Sequence, residues 1–298
     1  MYVVKYRKFF YAFSTLIILA SIGAVIIWGF NLGIDFKGGS IIEVEYSQVR
    51  PEQATLISAL APLKLESSVR PTGEKGYLIR MKDINVEEKT SLISALKDFG
   101  DFTEKRFDSI GPVLGAEALR KALFSIVLVI FAIVIFISYA FRKVSEPISS
   151  WKYGIVAIIA LAHDVIIPVG AFSILGHFAG YEIDTLFITA LLVVLGFSVH
   201  DTIVVFDRVR ENLTHLSLKK PFEQIVGDSI GQTFTRSINT SLTTLLALVV
   251  LYFVGGDSTQ HFSLALIIGI VAGTYSSVFI GSPLLVTLEK WQNKKGRK

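Results

Sequence analysis

Three ionisable residues stand inside long apolar runs of this sequence: Asp164 in ALAHDVIIPVGAF, Asp201 in LLVVLGFSVHDTIVVFDR, and Arg236 at the head of TRSINTSLTTLLALVV. In hydrocarbon such a group costs a few kcal/mol, so each needs a reason to be there. A carboxylate facing a guanidinium in a narrow wet cleft supplies one. The closed pair favours the ionised acid, and parting the two favours the protonated one, so alternation loads and unloads a proton. Asp164 lies about ten residues, ~15 Å, from the start of its run, near a bilayer midplane. Asp201 lies only about 8 Å from Phe206, where its run ends. Asn239, Thr240 and Thr243 follow Arg236 at helical spacing and form one polar stripe above it. Consecutive runs cross in opposite directions, so Asp201 and Arg236 fall at similar depth and are expected to meet.

Plainer readings stand beside these. Arg236 alone would snorkel to the interface, and Asp201 would serve as a structural partner of Arg236 or His200, holding two helices together. Pro168 follows Asp164 and frees a carbonyl near it, which would open a hydrated break. His163 and His200 precede the two aspartates, but neither pair has the spacing of a helical metal site, so a histidine satisfied by a neighbouring helix is expected. Asp207, Arg208, Arg210 and Glu211 read as a solvated helix end. Gly33, Gly38 and Gly39 in LGIDFKGGS lack the lysine-serine or lysine-threonine of a phosphate loop and are expected to make a tight turn.

The elements that must position these groups are membrane spans. Of the 298 residues, 52% are apolar and 18% charged, a membrane composition. Six runs are long enough to cross: residues 10 to 30, 121 to 141, 154 to 176, 184 to 206, 233 to 254 and 262 to 287. The first is preceded by Lys5, Arg7 and Lys8 like a signal peptide, but it is about as long as a bilayer is thick and no small-residue cleavage site follows, so it reads as a retained helix. Basic residues collect on one side: the three just named, then Arg142, Lys143 and Lys152, then Arg208, Arg210, Lys219 and Lys220, then Lys290, Lys294, Lys295, Arg297 and Lys298. The short opposite loops have none. Both termini are therefore expected in the cytoplasm, and the net charge of +4 reports orientation rather than nucleic-acid binding. No cysteine is present, which excludes disulfides, thiol catalysis and cysteine metal sites.

Three parts are expected: residues 1–34 with the first span, 35–112 as an extracytoplasmic domain, and 113–298 with five more spans. SIIEVEY alternates as a strand, EQATLISALAPL is helical, strands are expected near 65–70 and 77–83 around a Pro71-Thr72-Gly73 turn, and VEEKTSLISALKDFG is helical before a strand near 101–108. That order, β-α-β-β-α-β, is the ferredoxin-like α+β motif. The fold class is thus a polytopic α-helical membrane protein with one small external domain.

LGIDFKGGS, IGPVLGAEAL, LAHDV, GFSVHDTIVVFDRVREN and RSINTSLTTLLALVVLYFVGG together resemble the SecF branch of the SecD/SecF family of protein-export membrane proteins, within the RND superfamily. The resemblance spans essentially the whole chain and favours a separate subunit over the fused SecDF form. It implies a subunit that joins SecD and assists the SecYEG channel and SecA, with YajC and YidC as further partners, in late-stage translocation of preproteins across the cell (inner) membrane at the expense of the proton motive force. It places the family's proton-handling aspartate on Asp201 and its essential arginine on Arg236, with Thr240 beside it. The family's other key aspartate belongs to SecD. No cofactor or metal is implied, nor an enzyme activity. A lipid or small-molecule exporter of the same superfamily would need a larger external pocket and twice the helices. An intramembrane aspartyl protease would need Asp164 and Asp201 to share a proton about 3 Å apart with no cation between them, and its GxGD signature is missing.

Overall fold

The computed structural model of the chain describes residues 2–141, 150–216 and 220–295. Arg142, Lys143, Lys219, Arg297 and Lys298, used above for orientation, lie outside them. The chain forms two compact units, one of Met1–Asn31 with Phe124–Lys298 and one of Leu32–Leu123.

In the first unit a short α1 (Tyr2–Lys5) leads into α2 (Arg7–Trp28). Then come α6 (Pro112–Ala140), which begins in the second unit, α7 (Ser150–Phe178), α8 (Thr185–Leu216), α9 (Phe222–Val254) and α10 (Asp257–Ser276). A π-helical turn, Ser277–Gly281, joins α10 to α11 (Ser282–Lys295), and the two helices form one span. Among the described residues six helices are thus long and apolar enough to cross a membrane, and the protein is a multi-pass membrane protein.

Small residues let the spans pack closely. A Cβ on Gly170 of α7 would lie 2.3 Å from the Ser21 Cβ of α2, one on Gly269 of α10 2.3 Å from a Val194 methyl of α8, and one on Gly273 2.9 Å from the Ser198 Cβ. Ser173 ties α7 to the end of α2 by donating to the carbonyls of Ala24 (3.0 Å) and Gly29 (2.7 Å). The break expected at Pro168 does not occur: α7 runs through it, because neighbouring helices hold a span whose ladder has lost one donor.

Two helices outlast their apolar runs. The end of α8 (Val205, Phe206, Val209, Leu213) and the start of α9 (Phe222, Ile225, Val226, Ile230) bury against Phe141, Tyr153, Leu285 and Val286. Glu223 ties this cap together, pairing with Arg7 of α2 at 2.8 Å and with Lys290 of α11. Arg208–Glu211 (2.6 Å) and Arg210–Asp207 (3.4 Å) are exposed intrahelical pairs at the end of α8, the solvated helix end read from the sequence.

The second unit holds α3 (Ile34–Lys37), β1 (Gly39–Tyr46), α4 (Gln53–Leu60), β2 (Ser68–Thr72), β3 (Gly76–Met81), α5 (Val86–Lys97) and β4 (Phe102–Ile110). The strands pair antiparallel in the order β2-β3-β1-β4, with a bulge against β4 between Glu43 and Val44. Ile42, Val44 and Tyr46 alternate inward and meet Leu56 and Leu60 of α4 and Leu92 and Leu96 of α5. Asn85 and Glu88 close a reciprocal capping box at the start of α5, at 2.9 and 3.0 Å. The β2–β3 turn falls at Gly73 (φ +54°) rather than at Pro71, which stays in β2 opposite Tyr77. An edge strand tolerates the missing donor. Gly38 (φ +78°) and Gly39 (φ +132°) make the expected turn into β1, and a Cβ on Gly38 would lie 2.7 Å from the Pro112 Cα.

Candidate functional site

The two intramembrane aspartates lie on adjacent spans, and each meets hydroxyls from two other elements. Asp164 of α7 is fully buried, and its Oδ2 accepts from Ser198 of α8 and from Ser276 of α10, the latter at 2.8 Å. Its Oδ1 lies 2.9 Å from His163 Nδ1. An ionised carboxylate only accepts, so this ring carries its proton on Nδ1 whenever Asp164 is charged. His163 Nε2 is buried and has no hydrogen-bond partner among the described residues.

Asp201 of α8 is 5% exposed. Its Oδ1 accepts from Ser237 of α9 at 2.8 Å, and its Oδ2 from Ser277, the first residue of the π turn, at 3.2 Å. From Ser237 the network climbs: Ser241 donates to the Ser237 carbonyl (2.9 Å) and shares a 2.6 Å hydrogen bond with Thr274 of α10. Asp201 does not meet His200, which is exposed.

Arg236 does not meet Asp201 either, contrary to the sequence expectation. The inward face of α9 carries Thr233, Ser237, Ser241 and Leu248, all buried. Arg236 stands one residue, about 100°, away from Ser237 on the helix, and it is exposed together with Asn239, Thr240 and Thr243. The stripe read from the sequence exists as one outward face of the span. Among the described residues no ion pair joins either aspartate to a lysine or arginine, and none gathers three or more histidine, aspartate or glutamate side chains as a metal site would.

Sequence reasoning weighed the charged residues and missed Ser198, Ser237, Ser276 and Ser277. A signal was present, since Thr233, Ser237 and Ser241 recur every fourth residue in α9, as Gly269 and Gly273 do in α10. Such small-residue rows mark helix contacts in membranes. Gly269 and Gly273 draw α10 onto α8, which brings Ser276 and Ser198 to the same carboxylate oxygen.

A hydrogen bond to a charged group contributes about 1.5–3 kcal/mol, and the burial of an uncompensated carboxylate costs at least as much. Asp201 is held by neutral hydroxyls, and Asp164 by hydroxyls together with the His163 ring, so among the described residues neither acid has a lysine or arginine beside it.

The family description "Protein export membrane protein SecD/SecF, C-terminal" matches residues 91–291, and the SecD/SecF GG motif matches residues 29–48. The protein translocase subunit SecF of Thermobaculum terrenum is 45% identical over 98% of this chain and 94% of its own length. That of Anaerolinea thermophila is 39% identical over 98% of this chain and 96% of its own length. A crystal structure of SecDF, a translocon-associated membrane protein from Thermus thermophilus, superposes with a TM-score of 0.84 at 32% identity. The match covers 97% of this chain but only 38% of that one, so the chain spans well under half of that SecDF polypeptide. SecDF in a super-membrane-facing form matches with a TM-score of 0.69 at 30% identity, over 99% of this chain and 39% of that one.

Proposed function

Because the chain belongs to the SecD/SecF family of protein-export membrane proteins, we propose that it fills the SecF role in a SecDF complex and uses the proton motive force to assist a late stage of protein translocation. Its membrane is the cell (inner) membrane, with both termini cytoplasmic, as the basic residues argue. The observation that carries the proton reading is Asp201, a buried carboxylate that hydroxyls hold and that no cation among the described residues neutralises. Asp164 has the same character and belongs to the same pathway.

Arg236, Thr240 and their stripe call for a partner. A guanidinium, an amide and hydroxyls on the outward face of a span are costly against lipid, and a facing helix bundle that covers them relieves the cost. SecD is that partner, and its own aspartate then meets Arg236 across the interface. SecYEG, SecA, YajC or YidC and the translocating preprotein act with the assembled complex. Coupling proton movement to a change in the external domain would convert the gradient into mechanical work.

The test is gradient-driven translocation in vesicles holding normal amounts of the complex. Asp201→Asn keeps the shape and loses the titration, so it is expected to abolish the gradient-dependent part while the complex still assembles. Arg236→Lys keeps the charge but loses the planar fork and is expected to impair it. Full activity of Asp201→Asn would remove the proton role.

A further inference from the structure

Ser276 and Ser277 are consecutive in the chain, yet they donate to different acids, Ser276 to Asp164 and Ser277 to Asp201. They sit where α10 gives way to the π turn. Each hydroxyl has one proton and a second acceptor in reach: the Gly273 carbonyl lies 3.1 Å from Ser276 Oγ, and the Thr274 carbonyl 3.1 Å from Ser277 Oγ. Both serines are completely buried.

This double choice makes each serine a reader of its aspartate. Against an ionised carboxylate the hydroxyl donates to the acid. When the acid takes up a proton, its new O–H needs an acceptor, and the serine oxygen supplies one after turning its own proton to the carbonyl three residues back. The serine proton rotates but is not transferred, and the only proton bound is the one on the carboxyl. Because the two serines share a peptide bond in a helical segment already off the α register, a setting that favours one orientation strains or relieves the other. π turns of this kind recur at functional sites.

We propose that the Ser276–Ser277 pair couples proton occupancy of Asp164 to that of Asp201, making Asp164 a second proton-binding group of this chain and the two serines its positioning residues. The orphan His163 Nε2 supports it: an unpaired nitrogen with 2% of its residue exposed, beside the acid, marks a place where a proton or a bridging water is accommodated. The ionisable groups facing the pair are few. His163 contacts Asp164, the Tyr275 ring stacks on His163 at 6.0 Å with its hydroxyl 3.4 Å from Ser14, and among the described residues α8 and α9 present only Ser198 and Ser237 to the acids. His200 and Arg236 lie on exposed faces. The inference rests on the reading of Asp201 as a proton carrier.

Infrared pH titration of the full chain in lipid nanodiscs tests it. The protonated-carboxyl bands are assigned by their loss in Asp164→Asn and in Asp201→Asn. Ser276→Ala, which removes a donor from Asp164 and none from Asp201, is expected to shift the Asp201 midpoint, and Asp164→Asn to do the same, by about fivefold or more in proton affinity. Ser276→Thr keeps a hydroxyl and is expected to restore the midpoint, which separates coupling from general damage to the fold. An Asp201 midpoint that stays put in both Ser276→Ala and Asp164→Asn overturns the coupling and leaves the proposed function intact. A chain in which Asp201→Asn removes no titrating band overturns both.

Discussion

The two His-Asp pairs look alike in sequence and are built differently in space. His163 bonds to Asp164, whereas His200 turns outward and leaves Asp201 to serines alone. Asp164 is enclosed by three donors among α7, α8 and α10. Asp201 has two, from α9 and the π turn, and its partner Ser237 is next in sequence to the exposed Arg236. The deeper acid is the more heavily held, and the shallower one is closer to a face that a partner can reach. A carboxylate's role in a span thus follows from how many neutral donors close on it and how near it lies to an outlet, which neither residue type nor the preceding histidine reveals.

The sharpest way to break this comparison is to remove each acid. Asp164→Ala strands Ser198 and His163, and Asp201→Ala strands Ser237, whereas Ser276 and Ser277 can turn to the Gly273 and Thr274 carbonyls. At about 1–3 kcal/mol for each unsatisfied buried group, Asp164→Ala is expected to lower the thermal midpoint of the purified protein further than Asp201→Ala. Equal losses, or the reverse order, would mean that the two sites are held equally.

A subtler variant strains one site and spares the other. A methyl on Gly273 would meet the Ser198 Cβ at 2.9 Å. Gly273→Ala is expected to cost about 1–3 kcal/mol and to move the carboxyl band of Asp164 more than it moves that of Asp201. Arg236→Met should change the isolated chain least among these membrane positions, within about 0.5 kcal/mol, because an exposed side chain is removed. Its effect should appear instead as weakened copurification with a SecD-type partner. A large stability loss in the isolated chain would show that Arg236 faces inward.

The smallest effect is expected at Glu88, an exposed carboxylate that calibrates the buried ones. The backbone N–H of Asn85, and then Lys82, hold its pKa below the ordinary 4.5. A depressed folded value means that the stabilisation is complete above the unfolded pKa and is lost as pH falls through the folded one. Hydrogen exchange at the start of α5 should therefore quicken only below about pH 4.5, and Glu88→Gln should flatten that dependence. An unchanged acid profile in Glu88→Gln would show that Glu88 contributes none of it.

Much of the fold was legible in the sequence. The apolar runs marked all six spans, because no other arrangement satisfies so much backbone in hydrocarbon. SIIEVEY showed its buried face by alternation, and VEEKTSLISALKDFG carried the helical spacing of α5. Boundaries were less legible. The apolar run ends near Phe206, but α8 continues to Leu216, because its last turns bury against α9 and α11 instead of lipid. Pro71 looked like a turn and is strand, since an edge position costs it no pairing.

For the candidate site, sequence alone determined that two acids and one arginine lie within spans and that polar groups follow the arginine at helical spacing. Only the tertiary structure decided what touches them. On a helix, neighbouring residues diverge by about 100°, so Arg236 and Ser237 share a depth but not a direction, and a one-residue difference sends the arginine outward and the serine onto Asp201. The same geometry, loosened by a π turn, lets Ser276 and Ser277 reach two different acids. Gly269 and Gly273 mark by their spacing the face on which α10 is contacted, but that the contact is α8 is decided by packing between distant segments.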